Sequence, residues 1–89
     1  VTVSLADLKA FLSVTHDEDD VKLAMLLSAA EDELLRYLER SELPDAASVD
    51  LAVCFLCRAG YDAETADESA RWRDVARTTC HSYRTGIGA

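Results

Sequence analysis

The stretch "VKLAMLLSAAEDELLRYLE", residues 21–39, constrains this chain more than any other, because it carries apolar residues at helical spacing and no Gly or Pro. It predicts a helix over about residues 18–40, roughly 35 Å long at about 1.5 Å per residue. Leu23, Leu27, Ala30, Leu34, Tyr37 and Leu38 form its main apolar stripe. Val21, Ala24, Met25, Ser28 and Leu35 form a second, weaker stripe turned away from the first. Two stripes have two explanations: the helix is sandwiched inside its own domain, or the second stripe meets another subunit. The sequence leaves both open.

Directly before this segment stands "VTHDEDD", residues 14–20, a histidine beside four carboxylates. Unpaired N–H groups and the positive end of the helix dipole favour acids at a helix start, each by about 0.3–1 kcal/mol. Asp17 is expected as N-cap, with Glu18, Asp19 and Asp20 in the first turn. A calcium loop counted from Asp17 needs Gly at its sixth position and Glu at its twelfth, where this chain has Lys22 and Ser28. The acids therefore read as helix capping.

Around the long segment, three further helices are expected. Ser4 with Asp7 opens one over about 5–12, and Ser13, Val14 and Thr15 break it. In "SELPDAAS", Pro44 ends the long helix and Asp45 starts the next, over about 46–60. That third helix contains "LAVCFLC", apolar all round and so central and buried, and Gly60 closes it. "TADE", residues 65–68, is a capping box opening a fourth helix over about 66–83. Trp72, Val75, Ala76, Thr79, Cys80 and Tyr83 share one side of it, beside a strip of Arg73, Arg77 and Arg84. The fold class is all-α, a bundle of about four helices in a single domain spanning 1–89. Residues 84–89, ending in Gly-rich "TGIGA", form a flexible C-terminal tail.

Charge narrows the function. Of 89 residues, 17 are Asp or Glu and 9 are Lys or Arg, a net charge of −8, which opposes binding to nucleic acid phosphates or an anionic membrane. The surplus acid lies in residues 1–50, whereas from Ser69 onward four arginines face only Asp74, so opposite ends of two copies attract each other. A chain this short buries only roughly 60–65% of its unfolded surface, which favours oligomerisation. No run reaches the ~18 apolar residues of a membrane span, and "VTVSLADLKAFL" is neither basic nor long enough for a secretion signal. The opening Val1 implies that an initiator Met or short leader was removed or falls outside the numbering. A reducing, cytosolic setting is expected.

Reactive chemistry finds little support. Cys54-x-x-Cys57 with Cys80-His81 has the composition of a zinc site, but the first pair lies mid-helix in an apolar run and adjacent ligands strain to reach one ion. A redox pair belongs at a helix start after a strand, and no strand is expected. Buried structural thiols are the reading. His16 and His81 have no nucleophile at a recognisable spacing, and Gly60, Gly86 and Gly88 make no phosphate loop. An acyl carrier needs Asp-Ser-Leu, and here Val3 precedes Ser4-Leu5. No catalytic residue, metal or cofactor is expected.

Taken together, "SLADLKAFLSVTHDEDDVKLAMLLSAAEDELLRYL" and "CHSYRTG" resemble the small head-tail connector proteins of long-tailed bacteriophages, also called head-completion or adaptor proteins. The resemblance rests on Leu5, Leu8 and Lys9, on Val14, His16 and Asp17 in the break, and on Asp19, Asp20, Ala29 and Ala30. The chain departs from it at Ser82-Tyr83-Arg84, where relatives often have Pro-Tyr-Arg, and after "CFLCRAGYDAET". The resemblance implies a non-enzymatic virion protein of the neck, assembled in the host cytoplasm. It implies a ring, expected as a dodecamer, that joins portal to stopper or tail-completion protein and lets double-stranded DNA pass without specific binding. Under it, Arg73 and Arg77 of one copy face Asp32, Glu33 or Glu39 of the next, with Val21, Met25 and Leu35 as the apolar part of the interface. Tyr83, Arg84, Thr85, Gly86, Ile87, Gly88 and Ala89 are expected to dock on the portal. The alternative reading is a small DNA-binding regulator with a helix-turn-helix-like unit between the third and fourth helices, using the arginine strip.

Overall fold

The computed structural model describes residues 3–44 and 46–83, as α1 (Leu5–Leu12), α2 (Asp20–Leu38), α3 (Ala47–Tyr61), α4 (Ala66–Cys80) and a 3-10 turn (His81–Tyr83). The all-α order of short, long, buried and amphipathic helices is as expected. The proposed tail at 84–89 lies outside the described residues.

Helix α3 is the hub. It packs most extensively on α4, then on α2, and α1 lies against both α2 and α3. Its Val49, Ala52, Val53, Cys54, Leu56, Cys57 and Ala59 are buried, and all of these but Ala59 meet Leu23, Ala30, Leu34 and Leu38 of α2, Leu8 and Leu12 of α1, and Ala76 and Cys80 of α4 in one core cluster. Small residues on α3 and α4 let the helices approach closely while the leucines of α1 and α2 fill the space between. The result is a slab of 44 × 28 × 17 Å.

The helix ends depart from expectation in informative ways. Helix α2 stops at Leu38, well before Pro44, because Glu39 turns left-handed at φ 56°. The N–H of Glu39 then donates to Arg36 O and that of Arg40 to Leu35 O, the paired bonds of a Schellman motif. Helix α1 ends the same way on Ser13, at φ 60°, with Val14 donating to Lys9 O at 2.9 Å. Gly60 does not close α3, which runs on to Tyr61. A Cβ at residue 60 would lie 2.9 Å from Leu26 Cδ2, so the glycine admits α2 instead of stopping α3. The residue before α3 that acts as N-cap is Ala46, without a side-chain bond, and Asp45 lies outside the described residues. Ser4 caps α1 by accepting from the Asp7 N–H, and Thr65 caps α4 by accepting from the Glu68 N–H, both at 3.0 Å. The return bond of the second cap comes one residue early, Glu64 N–H donating to Glu68 Oε2.

The four acids at the start of α2, Asp17 to Asp20, are the main correction. The helix starts at Asp20, and the N-cap is Asp19, whose side chain makes no capping bond because it accepts from the Tyr61 hydroxyl at 2.7 Å instead. Asp17 and Asp20 both accept from Lys9 Nζ, at 2.6 and 2.8 Å. The cluster thus braces α1 and α3 against α2 more than it caps α2. A second brace is Arg58, whose guanidinium lies 4.8 Å from the Phe11 ring and 5.2 Å from the Trp72 ring. It donates from Nη2 to Phe11 O at 3.3 Å and pairs with Asp62. Phe55 stacks on Trp72 and meets Phe11 edge-on, so one cation and three rings join α1, α3 and α4.

Three outcomes test this account. Arg58→Ala lowers unfolding free energy by about 2 kcal/mol, through lost cation–π and stem packing, while Arg36→Ala changes it by less than about 0.5 kcal/mol; urea titration of both separates them. Ser13→Gly raises stability by about 0.5–1 kcal/mol with an unchanged denaturant slope, since glycine takes the left-handed position without strain. The Lys9 hydrogen bond and charge hold the Asp17 carboxyl below its ordinary value of 3.8, so its stabilisation is present above that pH and is lost as pH falls through the depressed folded value. Lys9→Met removes that part of the acid limb, measurable as a flatter stability curve below about pH 4.

Candidate subunit interface

The second stripe of α2 is uncovered. Val21 is 77% exposed and Met25 69%, the largest exposures of any big apolar side chain among the described residues. With Glu18, Lys22, Leu26 and Ala29 they line an open groove of about 610 Å³ along the first half of α2. Of the two explanations left by the sequence, sandwiching inside the protomer is excluded for Val21 and Met25. Further along, Leu35 is half-buried.

The charged residues expected at the interface divide. Arg73 does meet Glu33, but within one chain: its Nη1 lies 2.5 and 2.6 Å from the two carboxylate oxygens, tying α4 to α2. Asp32 pairs with Arg36 one turn on, at 3.2 Å, with both side chains largely in solvent. Arg77 is exposed and touches only the edge of hydrogen-bonding range to Asp74, at 3.5 Å. Glu39 is exposed at the left-handed end of α2. The arginine strip is therefore reduced in reach: Arg73 is committed internally, Arg77 projects, and Arg84 lies outside the described residues.

Where α2 and α4 end together, a hollow of about 550 Å³ is lined by Tyr37, Asp74, Arg77, Thr78 and His81. The Tyr37 hydroxyl and His81 Nδ1 are 2.8 Å apart, and Arg40 Nε donates to Tyr83 O at 2.6 Å. Tyr37 of α2 and Arg40, just past the end of that helix, thus fasten the 3-10 turn, fixing where the chain leaves α4. Tyr83 itself is half-buried against the core, whereas Arg84 to Ala89, the rest of the expected docking segment, lie outside the described residues. Sequence reasoning did not single out Arg40, Arg58 or Tyr61. For Arg58 a signal existed, a lone cation closing the apolar run "LAVCFLC" four residues before Asp62.

Cys54, Cys57 and Cys80 are free and buried, on the inner faces of α3 and α4. Burial pushes all three thiols up, Cys57 to about 12, which keeps them protonated and unreactive near neutral pH. Among the described residues no three His, Cys, Asp or Glu side chains converge as metal ligands, and no helix is long and apolar enough to cross a membrane.

Comparison with known proteins returns one family and no individual relative. The family model described as phage gp6-like head-tail connector protein matches residues 2–73. No curated protein and no solved structure gives a significant match. The matched segment runs from the N-terminal end through α1, α2 and α3 and stops at Arg73, the residue that ties α4 to Glu33. With most of its length so covered, and with four helices in the expected order, the chain belongs to the family of phage gp6-like head-tail connector proteins.

Proposed function

We propose that this protein is a non-enzymatic structural part of the virion neck, assembling as a ring between the portal and the stopper or tail and lengthening the channel through which double-stranded DNA passes. The observation that carries the reading is the uncovered Val21–Met25 face on a connector-family chain. An apolar strip this exposed on so small a protomer is costly in water unless a partner covers it. A head-to-tail ring needs two different surfaces on each copy, and α2 and the end of α4 supply them with opposite character. Twelve copies is the expected number by resemblance to the family. A DNA-binding role finds less support, since Arg73 spends its charge on Glu33 and the remaining surface is acidic.

In this arrangement Arg77 faces acids of the neighbouring copy, with Asp32 and Glu39 within the candidate set, while Arg73 and Glu33 act inside the protomer. The clasp of Arg40 on the Tyr83 carbonyl holds the last described residue beside the end of α2, and docking of the segment from Tyr83 to Ala89 on the portal is part of the same reading.

Mass measurement of the protein alone and mixed with its portal tests the reading: a multimer of defined stoichiometry on the portal is the expected result, and solitary protomers in both samples overturn it. Two arginine variants divide the interface from the fold. Arg77→Glu leaves thermal stability nearly unchanged and weakens assembly more at low salt than at high salt. Arg73→Glu lowers protomer stability by about 1 kcal/mol, because it sets a second carboxylate against half-exposed Glu33; equal effects of the two on melting remove the distinction.

A further inference from the structure

Helices α1 and α2 stop on residues in the left-handed region, Ser13 and Glu39, each with backbone bonds that reverse the chain. Helix α4 has no such stop. Its cap, His81, keeps right-handed helical dihedrals of φ −55° and ψ −37°, and no Gly or Pro stands among His81, Ser82 and Tyr83. The chain tightens there into the 3-10 turn, with the His81 N–H bonded to Thr78 O, three residues back. A 3-10 finish is common at a helix end. What is particular to this one is that side chains from outside α4 pin its first and last residues: the Tyr37 hydroxyl meets His81 Nδ1 at 2.8 Å, and Arg40 Nε donates to Tyr83 O at 2.6 Å.

The winding decides where Tyr83 stands. Three 3-10 steps of about 120° from Cys80 complete a full turn and set Tyr83 directly above that residue, whereas three α steps of about 100° leave it about 60° short. Cys80 is fully buried, and Tyr83 is half-buried against the core. We propose that Tyr37 and Arg40 form a clasp that holds the end of α4 in its tighter winding and stows Tyr83 over the core, and that the end rewinds as α-helix and turns Tyr83 off the core when the clasp opens. In the rewound form the N–H groups of His81, Ser82 and Tyr83 bond to the carbonyls of Arg77, Thr78 and Thr79, with the better hydrogen-bond geometry of an α-helix. The clasp is open to competition, because Arg40 is exposed and a carboxylate offers its guanidinium two parallel bonds and an opposite charge, against one bond to a neutral carbonyl. It belongs to the single protomer, so its test needs no assembly.

Nuclear magnetic resonance of the protomer separates the two windings. Contacts from Hα to the N–H two residues on, Cys80 to Ser82 and His81 to Tyr83, mark the 3-10 form. Contacts to the N–H four residues on, Arg77 to His81, Thr78 to Ser82 and Thr79 to Tyr83, mark the α form. The expected result is the first set in the wild type, the second in Tyr37→Phe/Arg40→Ala, and the first again in Arg40→Lys, which keeps a donor for the Tyr83 carbonyl. Nitration of Tyr83 by tetranitromethane rises at least threefold in the double variant, with nitration of Tyr61 unchanged as the internal reference. A double variant that keeps the wild-type pattern overturns the clasp. Loss of both sets of contacts overturns it too, since the end of α4 then frays and Arg40 is a plain anchor. Arg40→Ala alone, a change at an exposed side chain, gives a second reading that leaves the Tyr37 ring untouched, and melting curves recorded for each variant show that the rest of the protomer stays folded.

Discussion

Everything in this protomer is arranged around burying one helix. Helix α3 is apolar on nearly every side, and among the described residues only three other α-helices are there to cover it. Packing α4 and α2 directly against it uses small residues, among them Gly60, Ala52 and Ala76, at the points of closest approach. The remaining side is left to α1, which is short and contributes chiefly Leu8 and Leu12. That shortage of cover explains why polar groups do structural work at the edge of the core. Arg58 closes the gap between Phe11 and Trp72, and Lys9 and Tyr61 bind the acids that precede α2.

The outward face of α2 is a consequence of the same shortage. A helix of this length with an apolar stripe on both sides requires layers above and below, and the protomer has a layer on one side only. What is left uncovered is contiguous, lies along one half of the helix, and is framed by Glu18 and Lys22. Membership of a connector family and an exposed apolar strip are independent observations, and the proposed assembly between copies draws on both.

Most of the fold was legible from period and punctuation. Leu23, Ala30, Leu34 and Leu38 are buried where the spacing put them, and Ser4 and Thr65 cap their helices as read. The errors have a common origin, in that tertiary partners overrode local rules. Asp19 had a better offer from Tyr61, 42 residues away, than from its own helix N–H groups. Glu39 took a left-handed conformation that no propensity assigns to glutamate, ending α2 well short of Pro44. Gly60 looked like a stop because glycine is usually a conformational device, but here its missing side chain matters and its backbone freedom does not. Pairing across α2 and α4 was legible in kind but not in place: Arg73 and Glu33 were matched as opposite charges, and sequence alone could not say that they share a chain.

The thinness of the slab, 17 Å, has a mechanical meaning. With a single layer of core side chains between its broad faces, the protomer has no depth in which a push on one flank can dissipate. Pressure on Met25 and Val21 bears on the same turns of α2 as Leu26, which rests against the bare backbone of Gly60, and so passes into α3 with no compressible side chain at the glycine to absorb it. Each protomer is built less like a ball than like a thin tile, with its load-bearing contacts spread along its edges.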